Sequence, residues 1–256
     1  MPEISDTVLI TGASRGLGRA AALSFAQAGA RTVLCGRKEE ELSAVAREIE
    51  DLDGQCLYYS VNVQDFEDLD KIAKSAADIL GPVTVLVNNA AVIGPPEFLD
   101  NDSSPNWSET LDINLKGPVN TTRAVLPFMM EQDKGTVINL VSGLAWMSFP
   151  RFSAYCASKA GLYQLTRCLA EEYKDGNLLF YAVDPGVMDT PMQSEIRSLD
   201  KKRLGPLWQQ FLDMKETGQL RDPFQIAELL LALAIHRPRE KNGDAVALRD
   251  LATIKS

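Results

Sequence analysis

Thr7-Val8-Leu9-Ile10-Thr11-Gly12-Ala13-Ser14-Arg15-Gly16-Leu17-Gly18 is the stretch from which the architecture can be read. An apolar β-prone run leads into a turn with three glycines, and Ala21, Ala22, Phe25 and Ala26 then recur at helical spacing up to Gly29. That is strand, loop and helix in succession. The same alternation continues outward. Further strands are expected at Arg31–Cys35, Cys56–Val61, Val83–Val87, Thr136–Leu140, Leu178–Val183 and Ala245–Leu248, with amphipathic helices between them, such as the one carrying Leu42, Val45, Ala46 and Ile49. Near-continuous apolar strands separated by helices predict a parallel sheet covered on both faces. The expected fold is therefore α/β, a Rossmann-type doubly wound parallel sheet of about seven strands in a single domain spanning residues 1–256. Only about 187–222 interrupts the pattern; Met188, Met192, Ile196, Leu199, Leu204, Leu207, Trp208, Phe211 and Leu212 there suggest a helical flap over a substrate, or an ordinary core-facing helix pair.

Composition narrows the function. With 45% hydrophobic residues, 24% charged residues and mean hydropathy of −0.10, the chain has globular values. A net charge of −9 offers no global attraction for nucleic acid or an anionic membrane, so any bound anion needs a local site. One histidine, His236, makes multi-histidine metal sites impossible, and the spacing of Cys35, Cys56, Cys156 and Cys168 favours neither zinc nor a disulfide framework. No metal is expected. The first residues lack a basic and apolar leader pattern, and the expected location is cytoplasmic.

The glycine loop suits a dinucleotide, because glycines let backbone N–H groups approach a pyrophosphate at the positive end of a helix. Gly12, Ser14, Arg15, Gly16, Leu17 and Gly18 are the candidate contacts. Gly12-Ala13-Ser14-Arg15-Gly16 also fits the spacing of a hydrolase nucleophile elbow, with Asp184 or Asp189 and His236 downstream. Against that rival, Ser14 follows only one strand, whereas the elbow's oxyanion hole draws on an earlier one. Beyond the second strand, Gly36-Arg37-Lys38 stands where an acid would accept the ribose hydroxyl of NAD. Arg15, Arg37 and Lys38 would instead favour the 2′-phosphate of NADP(H), although Glu39, Glu40 and Glu41 follow directly.

A second cluster comprises Ser142, Tyr155 and Lys159, the last two sharing a face if their segment is helical. Together with Thr11-Gly12-x-x-x-Gly16-x-Gly18, Asn88-Asn89-Ala90, Asn114 and Pro185-Gly186 followed by Thr190, this order resembles the short-chain dehydrogenase/reductase family over essentially the whole chain. The resemblance implies an NAD(P) oxidoreductase with Ser142 and Tyr155 at the substrate carbonyl, Lys159 on the nicotinamide ribose and Asn114 supporting a proton relay. It also implies cofactor contacts from Asn62, Val63, Asn89, Ala90, Pro185, Gly186, Val187 and Thr190, and a homodimer or homotetramer. Lowering a phenol from about 10 to near 7 takes about 4 kcal/mol, which one ammonium about 4 Å away supplies at an effective dielectric of 20. Lys159 is thus expected to activate Tyr155. Asn62 replaces the usual aspartate and Ala91 the usual glycine, without loss of a catalytic group.

Within that family the chain is most similar to the sepiapterin reductases and bacterial benzil reductases, on Asp189-Thr190-Pro191-Met192-Gln193, Lys215-Glu216-Thr217-Gly218-Gln219-Leu220 and Asn242-Gly243. In pterin-reducing members an aspartate on the closing strand holds the ring; Ala247 stands in that register here. Leu144, Trp146 and Met192 are the expected substrate contacts, with Met147, Phe149 and Phe152 as further apolar wall, and these aromatics equally suit the core or a subunit contact. The expected activity is NADPH-dependent reduction of a ketone or diketone to an alcohol, with Tyr155 as general acid. Alternatives are pterin carbonyl reduction, 3-oxoacyl thioester reduction, and a dinucleotide-binding regulator without turnover.

Overall fold

The computed structural model describes residues 3–94, 96–100, 104–198 and 207–255. Seven parallel strands form one sheet: β1 (Thr7–Thr11), β2 (Arg31–Gly36), β3 (Cys56–Ser60), β4 (Val83–Asn88), β5 (Gly135–Leu140), β6 (Leu178–Asp184) and β7 (Ala245–Ala247). Their order, β3-β2-β1-β4-β5-β6-β7, reverses direction of growth between β1 and β4. A doubly wound sheet opens a ligand crevice outside the carboxyl ends of its strands at such a reversal.

Ten α-helices are described: α1 (Gly16–Gln27), α2 (Glu39–Glu50), α3 (Phe66–Leu80), α4 (Ser104–Leu111), α5 (Gly117–Glu131), α6 (Ser153–Glu172), α7 (Pro191–Ser198), α8 (Leu207–Glu216), α9 (Pro223–His236) and α10 (Leu251–Ile254). Alternation along β1 distributes them. Val8 and Ile10 enter the cluster formed with α1, α2 and α9, whereas Leu9 enters the opposite cluster with α3 and α5. Full burial of large side chains such as Phe25, Phe180 and Leu86 contributes about 1.5–3 kcal/mol each. Helix starts follow local chemistry where polar caps are available: the carboxylate of Asp65 accepts from Asp68 N–H before α3, and that of Asp222 accepts from Phe224 N–H before α9, where Pro223 needs no partner for its nitrogen.

The closing strand is shorter than its sequence suggests. Asp250 accepts a hydrogen bond from Ala247 N–H and pairs with Lys241, turning the chain into a short 3-10 segment at Leu248. Between 187 and 222 the described residues form two helices, α7 and α8; positions 199–206, including Leu199 and Leu204, lie outside the described residues. The two ends of this excursion are tied together. Met188 and Arg221 form a parallel bridge, Arg221 N–H donates to Val187 and Asp189 N–H donates to Arg221. Among the described residues, no helix is long and apolar enough to cross a membrane.

Under the carboxyl half of the sheet runs a buried polar chain. Asn88 donates to Asn139 at 2.8 Å, Asn139 donates to Thr166 at 2.9 Å, and Thr166 donates to the Leu162 carbonyl at 2.8 Å. This chain fastens α6 to β5. Since an unsatisfied buried amide costs about 1–3 kcal/mol, Thr166→Val, which keeps the shape but removes the hydroxyl, is expected to lower stability by about that amount in urea denaturation.

Candidate active site and cofactor cleft

The carboxyl ends of β1 and β4 are locked together by Thr11 and Asn89. The Thr11 hydroxyl accepts from Asn89 and Ala90 N–H, both at 3.0 Å, while the Asn89 side-chain amide donates to the carbonyls of Thr11 and Gly12 at 2.9 and 3.1 Å. The close approach restricts the glycine loop. A Cβ on Gly12 would sit 2.9 Å from Ala90 Cα, and one on Gly18 only 2.1 Å from the Gly12 carbonyl oxygen. Gly12 and Gly16 also have φ of +64° and +55°, which suit glycine. No side chain caps α1 and no acid occupies its first turn, so its leading N–H groups and positive end are left for an anion. Backbone close approach, uncapped donors and absent acid together fit a dinucleotide pyrophosphate.

One cleft gathers Gly12, Ser14, Arg15, Gly16, Leu17, Arg37, Asn62, Val63, Asn89, Ala90, Thr190 and Met192. Gly186, with φ of +67°, and Val187 lie on the loop leading to Thr190, and Arg221 holds that loop through the Pro185 carbonyl at 3.2 Å. Asn62 has its carbonyl oxygen already accepting from Gln64 N–H at 3.1 Å. Arg15, Arg37 and Lys38 share the cleft as expected, but two are pre-paired: Arg15 with Glu195 at 2.9 Å and Lys38 with Glu41 at 2.6 Å. Glu41 also accepts from the Ser14 hydroxyl at 3.0 Å, and these contacts hold its carboxyl below the usual range despite some burial. Glu41 stands only three residues beyond Lys38, but the Glu195 partner was not apparent from spacing, because it comes from a helix 180 positions downstream of the loop.

Tyr155 and Lys159 occupy one buried face of α6, as their four-residue spacing requires. Lys159 Nζ donates to the Leu140 carbonyl at 2.7 Å and stands 5.6 Å from the centre of the Tyr155 ring. Burial lowers the Lys159 pKa to about 8. Burial likewise pushes Tyr155 up to about 12, with a hydrogen bond from Ser142 opposing the rise and the Asp184 carboxylate reinforcing it. The expected drop of the phenol toward 7 is therefore not produced by these residues. Desolvation of the phenolate dominates, and Lys159 is not among the groups lowering it. Asp184, at the end of β6, is a neighbour whose electrostatic effect on Tyr155 was not foreseen. Asn114 sits within a single π-turn, Asp112–Lys116; its side chain accepts from Val92 N–H and donates to Val92 O, both at 2.8 Å, and donates to Ser158 at 3.1 Å. Such single π-turns within helices are rare and frequent at functional sites.

Leu144 and Met192 join Phe149 and Cys156 around an apolar cluster of Phe152, Tyr155 and Ile196 beside the phenol. Trp146 lies edge-to-face on Tyr163 of α6, with ring centres 5.0 Å apart, and keeps about half of its surface exposed. The hydrolase alternative fails on distance along the fold: His236 ends α9, and the following Arg237 donates to the Gly135 carbonyl at the amino end of β5, whereas Ser14 lies at the carboxyl edge of the sheet.

Residues 6–201 match the short chain dehydrogenase family. This protein is a short-chain dehydrogenase. A 3-oxoacyl-(acyl-carrier-protein) reductase of Thermotoga maritima is 31% identical over 240 residues, 94% of each chain. A hydroxy(phenyl)methylsuccinyl-CoA dehydrogenase subunit of Thauera aromatica is 33% identical over 226 residues, 88% of each chain. Among solved structures, levodione reductase superposes with a TM-score of 0.87 at 25% identity, covering 99% of both chains. The short-chain dehydrogenase is thus an oxidoreductase of a family that binds nicotinamide dinucleotides. Gly18→Ala is expected to abolish dinucleotide binding measured by calorimetry while leaving the circular dichroism of the fold in place, since its methyl would meet the Gly12 carbonyl.

Proposed function

We propose that the protein is an NADPH-dependent carbonyl reductase acting on a small ketone or diketone, and that α7 and α8 form a flap over its substrate. The observation that carries this reading is the neutral, buried Tyr155 phenol beside Ser142, with the Lys159 ammonium behind it. When bound, NADPH supplies a hydride to the carbonyl carbon. Ser142 donates a hydrogen bond to the carbonyl oxygen, one that strengthens as negative charge accumulates there. Tyr155 transfers its proton to that oxygen: the phenol is protonated at neutral pH, and the alkoxide formed by hydride addition is a stronger base than the phenolate left behind. Lys159, fixed by the Leu140 carbonyl, would hold the nicotinamide ribose through its ammonium. Asn114 supports the backbone at Val92 and, through Ser158, the turn of α6 that carries Tyr155.

NADPH is favoured over NADH by Arg15, Arg37 and Lys38 at the end of the cleft beyond β2. The apolar cluster of Phe152, Ile196, Leu144 and Met192 suits an apolar or aromatic substrate. A second reading, reduction of a 3-oxoacyl thioester, draws on the Thermotoga maritima relative. Pterin reduction is less suited, because Ala247, opposite Asp184 in β7, offers no carboxylate.

Purified protein is expected to oxidise NADPH faster than NADH with an aromatic 1,2-diketone, followed by absorbance; equal rates would remove the cofactor preference. Tyr155→Phe is expected to lower turnover by at least about 100-fold, the scale of general-acid catalysis, while calorimetric cofactor binding persists. The sign of the pH effect follows from Lys159. Its ammonium is present below about 8 and lost above it, so the rate of reduction is expected to fall as pH rises through that value. A Lys159→Met variant is expected to be slow and to lose this step in the profile.

A further inference from the structure

The cations at the adenosine end of the cleft meet two carboxylates of the chain itself. Lys38 is paired with Glu41 at 2.6 Å, and Glu41 additionally holds Ser14 of the glycine loop at 3.0 Å. Arg15 is paired across the cleft with Glu195 of α7 at 2.9 Å. Arg37 makes no ion pair among the described residues. Glu41 lines the cleft together with all three cations. Both ion pairs are partly exposed, so each is weakly held and a dianion can exchange into it.

We infer that Glu41 and Glu195 are specificity-determining residues, built-in counter-ions that a 2′-phosphate must displace from Lys38 and Arg15 and that hold down the preference for NADP(H) over NAD(H). The inference rests on the cofactor reading above. Charge explains the direction. A 2′-phosphate carries up to two negative charges into a space already containing a carboxylate, whereas a 2′-hydroxyl carries none and is able to donate to Glu41. Neutralising either glutamate frees a cation and removes a repulsion, and the gain falls on the phosphorylated cofactor alone. Glu195 adds a connection that Glu41 lacks. α7 carries Ile196 and is preceded by Thr190 on the cleft, with Met192 on both the cleft and the apolar cluster at Tyr155, so the Arg15–Glu195 pair ties the nucleotide end to the substrate end.

The test is calorimetric titration of NADP+ and NAD+ into the wild type, Glu41→Gln, Glu195→Gln and the double variant, at low and at 0.5 M salt. Glutamine keeps a side-chain oxygen for Ser14 and the size of each residue, and thermal melting checks that the variants fold. Each single variant is expected to bind NADP+ about three- to tenfold more tightly, with NAD+ unchanged or weakened, and the gain is expected to shrink at high salt. An NADP+/NAD+ affinity ratio in the double variant no higher than in the wild type overturns the inference. Equal affinities in the wild type would instead overturn the NADPH reading, a separate outcome read from a separate protein. For Glu195→Gln, faster amide exchange in α7 without added nucleotide is the expected accompanying change; unchanged exchange would overturn the tie between the two ends.

Discussion

The carboxyl ends of β1 and β4 are joined by four hydrogen bonds between Thr11-Gly12 and Asn89-Ala90, and the site is built around that seam. The sheet grows outward in opposite directions from these strands, so their following loops diverge and leave a crevice between them. The seam brings the loop backbones within van der Waals contact, which excludes a Cβ at Gly12 and Gly18 and leaves the first turn of α1 facing the opening. An apolar strand pair alone would not set that spacing. The Asn89 amide does so because its two N–H bonds satisfy carbonyls that the diverging chain has withdrawn from the sheet.

From β5 onward a different constraint governs. The ammonium of Lys159 is buried and answered by the Leu140 carbonyl, while Thr166, two turns later on the same helix, is answered by Asn139 of the same strand. α6 is therefore pinned to β5 at two levels. A shift of the helix would strand both polar groups without water, and Tyr155 shares that fixed position. Desolvation then acts in opposite directions on the two ionisable groups, lowering Lys159 to about 8 and raising Tyr155 to about 12. Both stay protonated near neutrality, so Tyr155 holds a proton to give and Lys159 a charge to hold a ligand.

Local pattern made much of this legible. Strands and helices emerge from hydrophobic periodicity because each apolar run must bury itself against the sheet or its cover, and the glycine loop announces itself through residues whose conformations few others adopt. The Tyr155 and Lys159 relation is likewise local, a four-residue helical spacing. Other expectations depended on contacts between distant segments. The contact of Trp146 with Tyr163, 17 residues further along and on α6, is one of these. The phenol was expected to titrate low because one charge was weighed without the burial that opposes it.

The amino-acid sequence by itself determined the fold class, because that follows from periodicity along one chain, and its ordered motifs carried the resemblance to the family that nominates Ser142, Tyr155, Lys159, Asn114 and the glycine loop. Only the tertiary structure decided which charges face one another. Glu41 reaches Ser14 of the glycine loop from α2, Glu195 reaches Arg15 from a helix 180 residues away, and Asp184 approaches Tyr155 from β6. Electrostatic energy and desolvation depend on distances through space and on exclusion of water, and neither quantity is encoded in the spacing of residues along the chain.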